Sequence, residues 1–144
     1  MIFFRNNVCR ILPLGISALV WATGYILRWH AWDTGICDSW IGRCAEIAQG
    51  AIGDPMIAYG QWLVASAVIL LFARFETLKR WSIFATVYLI VTTIVLAFSP
   101  VSSGGIGFQE RLTAAHLFGI IFLVVTVAWV IIHTMIIRRR KATQ

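Results

Sequence analysis

Few side chains in this sequence could do chemistry. Cys37 and Cys44 stand seven positions apart in TGICDSWIGRC, residues 34–44, with Gly35 and Gly42 beside them to permit a tight turn. Closing so small a loop with a disulfide stabilises the ordered form by about 2–3 kcal/mol in the chain-entropy description. A structural staple is the leading expectation for the pair. A catalytic dithiol stays open, although the usual redox signature is C-x-x-C and the spacing here is C-x6-C. Zinc is disfavoured, because a site takes about four ligands and only His30 stands nearby. The third cysteine, Cys9, reads as a small buried thiol. Beyond the cysteines, the chemistry rests with three histidines, His30, His116 and His133, and with Arg28.

The elements that must position these groups are mostly oil. Of 144 residues 60% are hydrophobic and 12% charged, with a mean hydropathy of +0.84. A soluble domain carries about 25% charged residues, so this chain lacks the charge to clothe a water-facing surface. Four apolar runs hold the excess, at about 11–29, 57–73, 81–98 and 112–137. Each is near the roughly 17–25 residues of a spanning helix, and in hydrocarbon every backbone amide must be satisfied within its own segment. The expectation is an all-α integral membrane protein: one four-transmembrane-helix bundle over 1–144, with an outer disulfide loop at 30–56. The first run is expected to be a retained helix, being longer than a signal-peptide core and lacking a clean small-x-small site after it.

Orientation follows from the basic residues. Nine of the twelve Lys and Arg fall at the N-terminus (Arg5, Arg10), between runs two and three (Arg74, Lys79, Arg80) and at the C-terminus (Arg138, Arg139, Arg140, Lys141). Five of the six acids (Asp33, Asp38, Glu46, Asp54, Glu110) lie on the other side. Both termini are therefore expected to be cytoplasmic, in a bacterial inner membrane, with the cysteine loop facing an oxidising compartment where disulfides persist. The net charge of +6 then reads as a topology signal with some attraction to anionic lipid, and nucleic acid is not an expected partner.

Polar groups inside a bilayer are costly, so each is a functional candidate. His116 lies about one turn into the fourth run and His30 at the end of the first. They could flank a b-type haem, or one of them could do so with a ligand from another chain. The plainer alternative is that His116 bonds Gln61 or Tyr59 on the second helix, worth about 0.6–2 kcal/mol of helix association. Arg28 has Asp33, Asp54 or a haem propionate as candidate partners. His133 reads as an interfacial residue that snorkels outward. Trp29, Trp32 and Trp40 suit one membrane interface and Trp81 the other. Ala18 with Ala22, and Ala115 with Gly119, are small-xxx-small pairs that suit close helix packing. The segment SPVSSGGIGFQER, residues 99–111, reads as a flexible loop. No Ser-His-Asp order, HExxH motif or internal repeat is present.

The stretch GYILRWHAWDTGICDSWIGRC, with Gly24, Arg28, Gly35, Cys37, Trp40 and Cys44, resembles the first helix and first outer loop of haem A synthase. There G-x-x-x-R precedes a glycine-rich turn and a similar Cys-Trp-Cys segment. The opening of the fourth run, RLTAAHLFG, is similar to a family segment in which a haem-ligating His sits near the outer surface; the matching residue is His116. The resemblance implies one four-helix half of an eight-helix fold, haem b as cofactor, and a propionate as the partner of Arg28. At the start of the second helix the family carries a motif like E-Y-x-H-R, and this chain has Ala58, Tyr59, Gly60, Gln61 and Trp62. The catalytic carboxylate and one axial ligand are thereby missing.

The expected function is accordingly a non-catalytic, haem-associated accessory or assembly component of a respiratory membrane complex. Its partners would be other membrane chains or a second copy. The alternatives are a purely structural subunit without haem and a membrane thiol-disulfide oxidoreductase using Cys37 and Cys44.

Overall fold

A computed structural model describes residues 2–38, 42–73, 75–99 and 110–142, with side chains described over 11–38, 42–73, 75–99 and 110–136. The described chain is all-helical. It comprises α1 (Ile2–Trp29), a short α2 (Arg43–Glu46), a π-helical segment (Ile47–Gly53), α3 (Asp54–Leu71), α4 (Phe75–Phe98) and α5 (Arg111–Ala142). Four stretches are long and apolar enough to cross a membrane: Ile11–Trp29, Arg43–Leu71, Phe75–Phe98 and Arg111–Ile136. Trp40, Arg74 and most of the 99–111 segment lie outside the described residues, as do the side chains of Arg5, Cys9, Arg10 and the basic C-terminal run.

The second stretch corrects an expectation. The apolar run alone places the second helix from about 57, with a loop over 30–56 before it. Instead α2, the π-helical segment and α3 join into one apolar rod of 29 residues, and the loop shrinks to 30–42. Gly53 there serves packing rather than chain reversal. A Cβ on Gly53 would stand 2.8 Å from the Ala48 carbonyl and 3.1 Å from the Arg28 backbone nitrogen, so only glycine lets this segment lie on the end of α1. The other helices also run past their apolar cores: α1 begins at Ile2, α4 at Phe75, and α5 extends to Ala142. Hydropathy marks where a chain is oily, whereas helical hydrogen bonding continues into polar flanks.

Pro55 stands in the first turn of α3, where its missing N–H is tolerated. Beside it, the guanidinium of Arg111 donates from Nη1 to Ala51 O at 2.9 Å. The same side chain donates from Nε and Nη2 to Ser99 O and from Nη2 to Ala97 O, caring for the exposed carbonyls at the C-terminus of α4. One arginine thus ties three elements.

The rod 43–71 is the centre of the bundle. α3 packs on α1 at one side and on α5 at the other, whereas α4 leans on α5 and touches α1 only lightly. The α1–α3 seam is tight because Gly60 faces Trp21, whose Cα would stand 2.9 Å from an added Cβ. Of the two small-residue pairs, Ala115 and Gly119 are buried in the bundle. Ala18 is exposed, and the small residues that α1 buries are Ser17 and Gly24.

α4 is held differently, by side-chain hydrogen bonds and rings. Tyr59 of α3 meets Thr92 at 2.9 Å; because Thr92 donates to the Tyr88 carbonyl, the tyrosine hydroxyl is the donor. Toward α5, Trp81 Nε1 donates to Thr126 at 3.2 Å, Tyr88 donates to the Phe118 carbonyl at 2.8 Å, and Thr77 meets His133 Nδ1 at 2.8 Å. Phe122 lies among Trp81, Phe84 and Tyr88 with ring centroids 5.2–6.3 Å apart. Trp81 is therefore 6% exposed and packs into the bundle core. His133 likewise bonds inward to a buried threonine. The opposite face of α4, with Ile83, Val87, Ile90 and Ile94, is exposed throughout.

Candidate functional site

The candidate residues cluster at one end of the bundle, where α1 ends, the rod 43–71 begins and α5 begins. α1 closes through His30 N to Ile26 O, and the chain then turns through Thr34 N to His30 O, Gly35 N to Trp32 O and Cys37 N to Ala31 O. Gly35 takes φ 72° and Gly42 φ 129°, backbone conformations that favour glycine. These turns bring Cys37 and Cys44 together as a disulfide with a Cα–Cα distance of 5.7 Å. Cys37 is buried with Ala31 and Ala48, so the bridge pins the reversal onto the π-helical segment.

Arg28 forms an ion pair with Asp54 in the first turn of α3 and lies 5.0 Å from the ring centroid of its neighbour Trp29. Asp54 is the acid that Arg28 selects of the two named for it. Asp33 goes instead to His30, whose Nδ1 stands 2.9 Å from Asp33 Oδ2. Both pairs are partly open to the surroundings, with side chains 41% and 24% exposed for the first and 50% and 45% for the second.

His116 occupies the α3–α5 seam. Its Nδ1 receives the indole N–H of Trp62 at 3.3 Å and stands 3.4 Å from Gln61 Nε2. The Trp62 ring lies directly on Gly119, one helical turn along α5; a Cβ there would collide with the indole. Of the two partners named for His116, Gln61 is present and Tyr59 is not, since its hydroxyl is spent on Thr92. An indole N–H only donates, so His116 Nδ1 must accept, and the proton of the neutral ring then sits on Nε2.

His30 and His116 are thus placed on α1's end and on α5, two helices with α3 between them, and each has its own protein partners. Among the described residues no three His, Cys, Asp or Glu side chains gather as a metal site. A haem iron takes an unprotonated imidazole nitrogen. In this arrangement His116 presents a protonated Nε2 and an occupied Nδ1, and Arg28 is turned to a carboxylate.

No family model, curated protein or solved structure matches this chain. The residues that carry most of the polar contacts were not singled out from sequence as contact makers. Trp62 was read only as a replacement within a lost motif, and Thr77, Thr92 and Thr126 look like ordinary helix residues. Arg111 had one usable signal: a lone basic residue after a glycine-rich segment, on the side with few other cations.

Proposed function

We propose that this chain is a small integral membrane protein, with both termini on the cytoplasmic side, that serves as a non-catalytic accessory or assembly component of a larger membrane assembly. One observation carries the reading: Arg28, His30, His116 and Arg111 each bond within the chain, while the apolar faces of α1 and α4 point outward. The four apolar stretches support the membrane location, and the bias of nine basic residues to one side supports the orientation. A disulfide at the opposite end fits an oxidising compartment.

A haem-associated form of this role is the second reading. It rests on His116, partly exposed near the end of its helix, and on the resemblance to half of haem A synthase. Purification in mild detergent, followed by a reduced-minus-oxidised visible spectrum and haem extraction, separates the two. Other membrane chains in the same fraction, without haem, are the expected result. A b-type signal near one haem per chain that disappears in His116→Ala would replace it with the haem reading. A lone monomer with neither haem nor partner would overturn both. Thiol-disulfide exchange is the third role to test: loss of both cysteines without loss of the assembly removes it.

A further inference from the structure

A cleft of about 750 Å³ lies between α1, α3 and α4, with Phe122 and Arg111 of α5 contributing to its wall. Its floor is buried, formed by Tyr59, Leu63, Ala67 and Ala85, while its rims, Leu12 and Ile16 on α1 and Ser82, Thr86 and Thr93 on α4, are exposed. It opens sideways because α1 and α4 barely touch. Along α4 the lining runs from Trp81 to Ala97, about 24 Å at about 1.5 Å per residue. That is most of the roughly 30 Å hydrocarbon thickness of a bilayer.

We propose that this cleft binds one phospholipid, a hydrocarbon chain lying along α4 and the phosphate head beside Arg111. The lining is mostly apolar: Ser17, Ser82 and Thr86 each donate their hydroxyl to a backbone carbonyl of their own helix and Tyr59 bonds Thr92, so Thr93 and Arg111 are the polar lining groups among the described residues with capacity for a ligand. The cleft volume of about 750 Å³ falls within the roughly 300 to 1,000 Å³ of small-ligand sites. Arg111 is the one charged side chain among the described lining residues, and it stands at the disulfide end of the cleft. Four of its five N–H groups go to backbone carbonyls. Those acceptors carry no net charge, and among the described residues one Nη1 hydrogen has no acceptor and can reach a phosphate oxygen.

The test is native mass spectrometry of the full chain, stripped of lipid in detergent and titrated with phosphatidylglycerol. A single saturable adduct per chain is expected. Thr86→Trp and Thr93→Trp, both at exposed rim positions, should weaken it at least tenfold, while Ile83→Trp on the opposite face of α4 should leave it unchanged. Arg111→Gln should erase the preference for phosphatidylglycerol over diacylglycerol of the same chains; the rim variants keep the test decisive if that protein fails to fold. Unsaturable binding, equal loss in Ile83→Trp, or a dimer that Thr86→Trp turns into a monomer would each overturn the proposal. So would tighter binding of a neutral isoprenoid quinone than of the phospholipid.

Discussion

The indole N–H of Trp62 donates to His116 Nδ1 at 3.3 Å while the same ring lies on Gly119. One side chain therefore sets both the tautomer of the histidine and the spacing of α3 from α5. Trp62→Phe keeps most of the ring but removes the donor. It should cost about 0.6–2 kcal/mol and let the His116 proton redistribute between the two nitrogens, visible as a change in imidazole nitrogen shifts in detergent. Gly119→Ala forces the indole away and should cost about 1–3 kcal/mol as overpacking, read by thermal unfolding. Unchanged nitrogen shifts in Trp62→Phe would show that the indole does not govern the tautomer.

The disulfide closes a short loop over a buried contact, so its removal should act through the reversal at 30–42. Cys37→Ser with Cys44→Ser should lower stability by about 2–3 kcal/mol without changing helix content. Alkylation before and after reduction should label two further thiols only after reductant. Labelling without reductant would mean that the pair is open in the isolated protein.

Tyr59 and Thr92 hydrogen-bond between α3 and α4, and Tyr59 lies on the buried floor of the cleft. A double-mutant cycle of Tyr59→Phe and Thr92→Val should return a coupling of about 0.6 kcal/mol and at most about 1.7 kcal/mol, the average and maximum for such bonds between membrane helices. A coupling indistinguishable from zero would place the attachment of α4 wholly in its rings and in the contacts with α5.

Arg28 and Asp54 make a partly exposed pair, and exposed pairs contribute about 0–1 kcal/mol. Arg28→Gln should therefore shift stability by less than about 1 kcal/mol, with the small effect fading as salt rises. A loss of several kcal/mol would mean that the arginine is buried against something else, a partner chain or an anionic cofactor group.

Sequence and structure agree where the physics is one-dimensional. A run such as 81–98 is too oily and too long for anything but a buried or spanning helix, and Cys37, Gly35 and Gly42 together mark a stapled reversal. The sequence falls short where helices press on one another. Hydropathy starts the second helix at about 57, yet the helical rod begins at Arg43, with Gly53 small so that the end of α1 can press on it. The sequence likewise does not show that Trp81 packs against Phe122.

By itself the sequence determined an all-helical chain with four apolar stretches of spanning length and a cysteine pair close enough to bridge, because composition and local spacing act along the chain. Only the tertiary structure decided the partners: Trp62 rather than Tyr59 for His116, Asp54 for Arg28, Ala51 for Arg111, and α3 rather than α4 at the centre. These choices depend on the rotation and depth of each helix. Rotation and depth are set by where a glycine lets two backbones approach, and hydropathy along a single chain does not record that.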